Sequence, residues 1–306
     1  SLSHRGERPG RLADVERDLT ALHAEAVSTF LRKHGVAGSS VDVIGFHGQT
    51  ILHRPKDQLT IQLGDGQLLA DTTRIPVVFD VRAADVEAGG QGAPLVPIYH
   101  QALTSRRSER PLAIVNIGGV ANVSWIGRDG RLIAFDTGPG NALIDDWMMK
   151  QTGASYDDGG TAALRGRVHD DVVHFYFNHP FFAAPPPKSL DRNAFVLDVV
   201  DGLSLEDGAA TLAAFTAGAI AKAREHMPEE PALWIVAGGG RRNKAIMRMI
   251  AERVQNAVVP SETAGLDGDS LEAEAWAYLA VRSLCGLPLT FPGTTGVAMP
   301  ITGGVY

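Results

Sequence analysis

Apolar positions recur along the chain with two different periods, and the places where the period changes predict the elements. Leu12, Val15, Leu19, Leu22, Ala26 and Phe30 return every three or four residues, so the spacing predicts an amphipathic helix over 12–34 with one apolar face. Gly35 then stands where a left-handed helix cap is usual. Short strands are predicted at 41–46, 51–53 and 59–63, a helix at 66–72 and a strand at 76–80. A helix of about ten residues follows the glycine-rich stretch at 89–95. Strands are predicted at 112–117, 120–125 and 132–135, the last two joined by the hairpin signal Arg128-Asp129-Gly130, then a helix at 142–151. Three consecutive prolines, 185–187, mark an irregular middle over 156–201. Beyond it come a helix over 205–227 with Ala209, Leu212, Phe215 and Ile220 inward, a strand at 232–237, a helix at 243–256 and a last helix at 270–285. Hairpins dominate the first half and strand–helix alternation the second, which predicts an α/β protein of two lobes. With no compositional break, the boundary is set near 140, giving an N-terminal lobe over 1–140 and a C-terminal lobe over 141–306.

Composition narrows the class. The chain has 306 residues, 44% apolar and 21% charged, which excludes a disordered chain and a small stapled scaffold. A formal charge of −7 argues against nucleic acid or an anionic membrane as the main partner. No apolar run approaches the ~20 residues of a membrane span. Residues 1–10 are polar and basic without an apolar h-region, so no signal peptide is expected. The single cysteine, Cys285, excludes an internal disulfide and a cysteine-cluster metal site, and it fits a reducing cytoplasm.

The chemistry concentrates at glycine turns that follow strands: Asn116-Ile117-Gly118-Gly119, Asp136-Thr137-Gly138-Pro139-Gly140-Asn141 and Gly238-Gly239-Gly240-Arg241-Arg242-Asn243. Glycine lets a ligand approach the backbone, and free amides beside a helix N-terminus favour an anion, so three such turns point to a nucleotide or phosphate. Neither a P-loop nor a Rossmann fingerprint is present. Asp136 ends an apolar strand before its turn. It can serve as a base beside a bound phosphate, or cap the following helix. Asp80 and Arg82 can bind sugar hydroxyls or form a plain ion pair. Glu272 heads the last helix, where the helix dipole alone favours an acid. Of ten histidines, which show no metal-ligand spacing, only His47 stands in a turn suited to a site.

Taken in order, these segments resemble one family. They are His47-Gly48-Gln49-Thr50, Asp80-Val81-Arg82 with Asp85, Gly89-Gly90-Gln91-Gly92-Ala93-Pro94-Leu95-Val96-Pro97, Asn116-Ile117-Gly118-Gly119-Val120-Ala121-Asn122, Phe135-Asp136-Thr137-Gly138-Pro139-Gly140-Asn141, Pro187-Lys188-Ser189 and Gly238-Gly239-Gly240 with Asn243. Together they resemble the bacterial anhydro-N-acetylmuramic acid kinases over about 10–295. The resemblance implies the two-lobed actin/hexokinase-like (ribonuclease H-like) ATPase fold, a cytoplasmic homodimer, ATP and Mg2+ as cofactors, and a role in cell-wall recycling. It also implies a reaction in which water opens the anhydro bridge and ATP phosphorylates the freed primary oxygen, giving N-acetylmuramic acid 6-phosphate.

By the same resemblance Asp136 is the catalytic base. Asp80, Arg82, Gln91, Gly92, Pro94, Glu272 and His47 bind the sugar. Asn116, Gly118, Gly119, Gly138, Gly238, Gly239, Gly240 and Asn243 bind the nucleotide, and no metal ligand is assigned. The family's first phosphate loop, a hairpin with Gly-Thr-Ser-x-Asp-Gly, has no counterpart in the given sequence, which opens at Ser1. An incomplete N-terminal sheet is therefore expected, and a non-catalytic sugar-binding or sensor protein is the alternative function. Lys188-Ser189-Leu190-Asp191-Arg192 departs from the family's usual Lys-Ser-Thr-Gly-Arg at two positions.

Overall fold

The computed structural model describes residues 2–306, which form two compact units. One comprises residues up to Tyr99 together with Glu272–Tyr306; the other is His100–Leu271. The boundary expected at 140 coincides with neither break. It falls between a strand and a helix that share one core, and the last helix returns the chain to the first unit.

In the first unit, β1 (Ile44–Phe46) runs parallel to β4 (Val77–Phe79), and β2 (Gln49–Arg54) pairs antiparallel with β3 (Leu59–Leu63). These are separate two-stranded sheets. Helix Leu12–His34 forms where its periodicity places it and ends on Gly35 at φ 64°. Its apolar stripe, however, does not face a core. Val15, Leu22 and Phe30 are exposed, while Thr20 and Ala24 are buried. The helix docks through Ala24, which joins an apolar cluster with Phe46, Leu69 and Val77, and through polar contacts. Thr20 Oγ1 donates to Glu16 O (2.7 Å) and accepts from Asp65 N (3.1 Å), and Glu16 takes the amide of Gly64 (2.9 Å) and the guanidinium of Arg8.

The second unit carries one five-stranded sheet. Its strands are β5 (Leu112–Ile117), β6 (Val120–Ile126), β7 (Leu132–Pro139), β8 (Leu233–Ala237) and β9 (Ala257–Pro260), in the order β7-β6-β5-β8-β9. β6 is antiparallel to both β5 and β7, whereas β8 and β9 run parallel to β5. Strand β9 went unpredicted: its four residues, preceded by Asn256 and ending in Pro260, are too few for a period. Alternate residues (Ala113, Val115, Ile117, Val123, Phe135, Trp234, Val236) form the core with the helices Ala142–Thr152, Leu205–Lys222 and Lys244–Val254. Helix Leu205–Lys222 is buried from Gly208 to Ala217, so its many alanines allow close approach, and Ser204 caps it by accepting from Asp207 N (3.1 Å). No helix among the described residues is long and apolar enough to cross a membrane.

Candidate active site

In the second unit the three glycine turns lie at the ends of β5, β7 and β8. Gly238 follows β8 at φ +74°, and a Cβ there would stand 2.5 Å from Asn116 Oδ1 and 2.6 Å from Ile117 O. A side chain is excluded both by conformation and by space. The turn at 118–119 packs equally closely on the next: Asn141 N and Gly140 N donate to Gly118 O (2.7 Å) and Gly119 O (2.9 Å), and a Cβ on Gly140 would meet Gly118 O at 2.2 Å. Arg241, which the sequence left out, braces the third turn. It is buried, and it donates to Gly238 O (2.9 Å), Glu262 Oε1 (2.7 Å) and Asp269 Oδ1 (2.9 Å). Asn243 accepts from Ala245 N and Ile246 N (3.0 and 3.1 Å), so its carbonyl caps helix Lys244–Val254. A cavity of about 310 Å³ opens here, lined by Asn141, Asp145, Tyr156, Gly239, Arg242 and Asn243 among others. Burial, with the like charge of Asp146 second, raises Asp145 in this wall to about 6.

Asp136 lies inside β7 rather than at a strand end. The strand runs on to Pro139 because a bulge resets its register: Ala121 faces Gly138, while Asn122 faces Asp136. Asn116 in turn faces Asn122, so Asn116, Asn122 and Asp136 stand in one cross-strand row on the face opposite the apolar core. The N-cap position of the next helix is Asn141. Asp136 is instead held by the 188–190 loop: its amide donates to Lys188 O (3.0 Å), and Leu190 N donates to its Oδ2 (2.8 Å). Lys188 Nζ bonds Phe181 O (3.1 Å) and lies 4.6 Å from that ring's centroid; burial lowers its pKa. Arg192 pairs with Asp146 (3.0 Å).

The sugar candidates all fall in the first unit, and most of them converge. Arg82 donates through Nε (2.9 Å) and Nη2 (2.8 Å) to His47 Nε2, and through Nη1 to Gly92 O (2.6 Å). Trp276, missed in the sequence, backs this pair: its ring lies 4.4 Å from His47 and 5.6 Å from the guanidinium carbon. It follows Glu272 by one helical turn on Leu271–Leu284, a spacing that was readable. The 89–94 loop is built on Asp85, which is buried. Its Oδ2 accepts from Gly92 N (2.7 Å) and its Oδ1 from Thr295 Oγ1 (2.6 Å). Gln91 N donates to Thr295 O (2.7 Å), and Gln91 O accepts from His53 (2.9 Å). Pro94 is buried after a cis peptide bond. Asp80 does not pair with Arg82. It adopts φ +51° and pairs with Arg5 (2.8 Å); burial raises its pKa against that charge. Glu272 is exposed at the start of its helix.

Burial, and secondarily the Arg82 guanidinium, lowers His47 from 6.5 to about 4. An unfolded chain takes up this proton as the pH falls through 6.5, while the folded one resists until about 4. Between those values the unfolded state binds more protons, so stability rises with pH. Acidifying from pH 7 to pH 4 should therefore cost on the order of 3 kcal/mol through this group. Urea unfolding across that range should show a shallower acid loss in His47→Gln than in the parent, and equal slopes would contradict the assignment.

The sheet of the second unit, read from its first strand, has the order 3-2-1-4-5 with only the second strand reversed. With glycine turns after strands one and four and a carboxylate on strand three, it is a ribonuclease H-like domain of the actin/hexokinase ATPase class. The chain belongs to the anhydro-N-acetylmuramic acid kinase family, whose model matches residues 7–306. A relative of that name from Rhizobium johnstonii is 54% identical over 309 residues, covering 99% of this chain and 83% of its own length. One from Brucella canis is 51% identical over 311 residues, covering 100% and 83%. Among solved structures, a ROK family glucokinase from Streptomyces griseus in complex with glucose and AMPPNP is similar at 14% identity and a TM-score of 0.38, covering 85% of this chain and 87% of its own.

Proposed function

We propose that this chain carries out the reaction of its family: ATP-dependent opening and phosphorylation of anhydro-N-acetylmuramic acid. The observation that carries the reading is Asp136, a carboxylate fixed by the Leu190 amide on the same sheet as the glycine turns at 118–119 and 238–240. In this reading Asp136 takes a proton from water, whose oxygen bonds to the anomeric carbon. The bridge bond breaks, and its electron pair passes to the primary oxygen. That oxygen attacks the γ-phosphorus, ADP leaves with the electrons of the broken P–O bond, and Asp136 later returns its proton to solvent. The products are N-acetylmuramic acid 6-phosphate and ADP.

Backbone amides of the glycine turns neutralise the phosphates, and the cavity between Asn141, Tyr156 and Gly239 takes the nucleoside. Arg82, His47, Gln91, Gly92, Pro94, Asp80 and Glu272 bind the sugar. The Arg82–His47 bond keeps the imidazole an acceptor and hence neutral. Mg2+ is bound by phosphates and water with one or two carboxylates. Among the described residues no three His, Cys, Asp or Glu side chains gather to hold a resident ion. The ion therefore belongs to this reading as a companion of ATP. The lone exposed Cys285 and the enzyme's small-molecule chemistry suit the cytoplasm, and the working form is a homodimer, which light scattering tests.

Incubation of the protein with anhydro-N-acetylmuramic acid, ATP and Mg2+ should yield one phosphorylated, hydrated sugar per ADP. A folded protein that binds the sugar and makes no product would favour the non-catalytic alternative.

A further inference from the structure

Asn122 is used by nothing so far described, yet it stands at the centre of the cross-strand row between Asn116 and Asp136. Directly paired residues on neighbouring antiparallel strands hold their Cβ atoms about 4.5–5.5 Å apart. Its Oδ1 is buried and has no hydrogen-bond partner among the described residues. Buried acceptors are nearly always paired, so an orphan calls for an occupant. The neighbour across the strand, Asp136, offers only acceptors while ionised. Once protonated it gains a donor. An acceptor that is idle before proton transfer and engaged after it stabilises the state that follows the transfer.

We propose that Asn122 is the positioning residue of the base: its Oδ1 accepts the hydrogen bond that Asp136 can donate only after it has taken the proton from water. The inference rests on the reading of Asp136 as the base. The O–H bond of water breaks, its electron pair goes to the anomeric carbon, and its proton forms the O–H of Asp136, which then points at Asn122 Oδ1. The register runs without a break from Ile126 opposite Leu132 to Asn122 opposite Asp136, and the bulge beyond this pair shifts only Gly138 and Pro139 against Ala121 and Val120.

Other ionisable groups on the surrounding elements have their own partners. Lys188 bonds Phe181 O, Arg192 pairs with Asp146, and Lys222 pairs with Glu225. His226 packs edge-on against Phe135, and burial lowers its pKa. His100 bonds Ser124 (2.9 Å) two residues along β6, and burial holds it to about 4.

The test is the pH profile of kcat for Asn122→Ala and Asn122→Ser, each checked for an unchanged circular dichroism spectrum. A hydrogen bond to the neutral form of a carboxyl raises its pKa. In Asn122→Ala the acid limb should therefore move down by roughly one pH unit. The plateau kcat should fall by the ~10- to 100-fold usual on losing an outer partner of a reacting group. KM for ATP and for the sugar should stay within about twofold. Asn122→Ser keeps an acceptor and should fall between. An acid limb that stays in place in both variants overturns the proposal, whatever kcat does. Asp136→Asn separates the two readings: full turnover there removes the base itself, whereas an inert Asp136→Asn beside an unmoved limb removes only the role of Asn122.

Discussion

Asp136→Asn should leave a folded protein that binds sugar and nucleotide and turns over about 10²- to 10⁴-fold more slowly, the usual contribution of a general base. The substitution keeps the shape of the side chain and an oxygen able to accept from Leu190 N (2.8 Å), so the 188–190 loop has no reason to move. It removes the capacity to take up a proton. Because that capacity is used only on the way to the transition state, kcat should fall while both KM values hold. Steady-state kinetics with direct detection of the phosphorylated sugar measures this. Wild-type turnover in the variant would move the base elsewhere, with Asp80 the next candidate.

Asp85→Ala should lose about 2–4 kcal/mol of stability and much of the affinity for the sugar. Asp85 is buried, and its two oxygens satisfy the Gly92 amide and the Thr295 hydroxyl. Truncation strands both donors, and it loosens the 89–94 loop whose Gly92 carbonyl holds Arg82 (2.6 Å). Asp85→Asn should be milder, because the Thr295 hydroxyl can turn and accept. Urea denaturation gives the stability and calorimetry the sugar affinity. ATP affinity should be unaffected, since the glycine turns lie in the other unit. An Ala variant as stable as the parent, with unaltered sugar binding, would contradict this role.

The sequence was legible where local chemistry decides the backbone. Glycine at 140, 238 and 240 marks turns that close approach demands, and the nearly unbroken apolar runs 112–117 and 233–237 mark strands buried on both faces. It was less legible where partners come from afar. The stripe Val15–Leu22–Phe30 satisfies helical periodicity, yet the helix docks through Ala24 and through Glu16 and Thr20, whose partners lie near residue 64. Arg241 looks like a surface arginine until Glu262 and Asp269 fold back onto it. The bulge that carries β7 past Asp136 to Pro139, and the row that sets Asp136 opposite Asn122, both depend on pairing between strands, so neither was visible in the spacing. Trp276 was missed for a simpler reason: an apolar residue on a helix reads as core, and it does pack as core while also backing His47 and Arg82.

In the proposed reaction water opens the sugar bridge, and the freed sugar oxygen, not water, takes the phosphate. This is tested most directly by running the reaction in H2(18)O and reading the product by fragment mass spectrometry, before the sugar can exchange its anomeric oxygen. The expected result is one labelled oxygen on the sugar carbon skeleton, none in the phosphate, and one ADP for each product. Label in the phosphate, or ADP released with inorganic phosphate and no sugar phosphate, would contradict it.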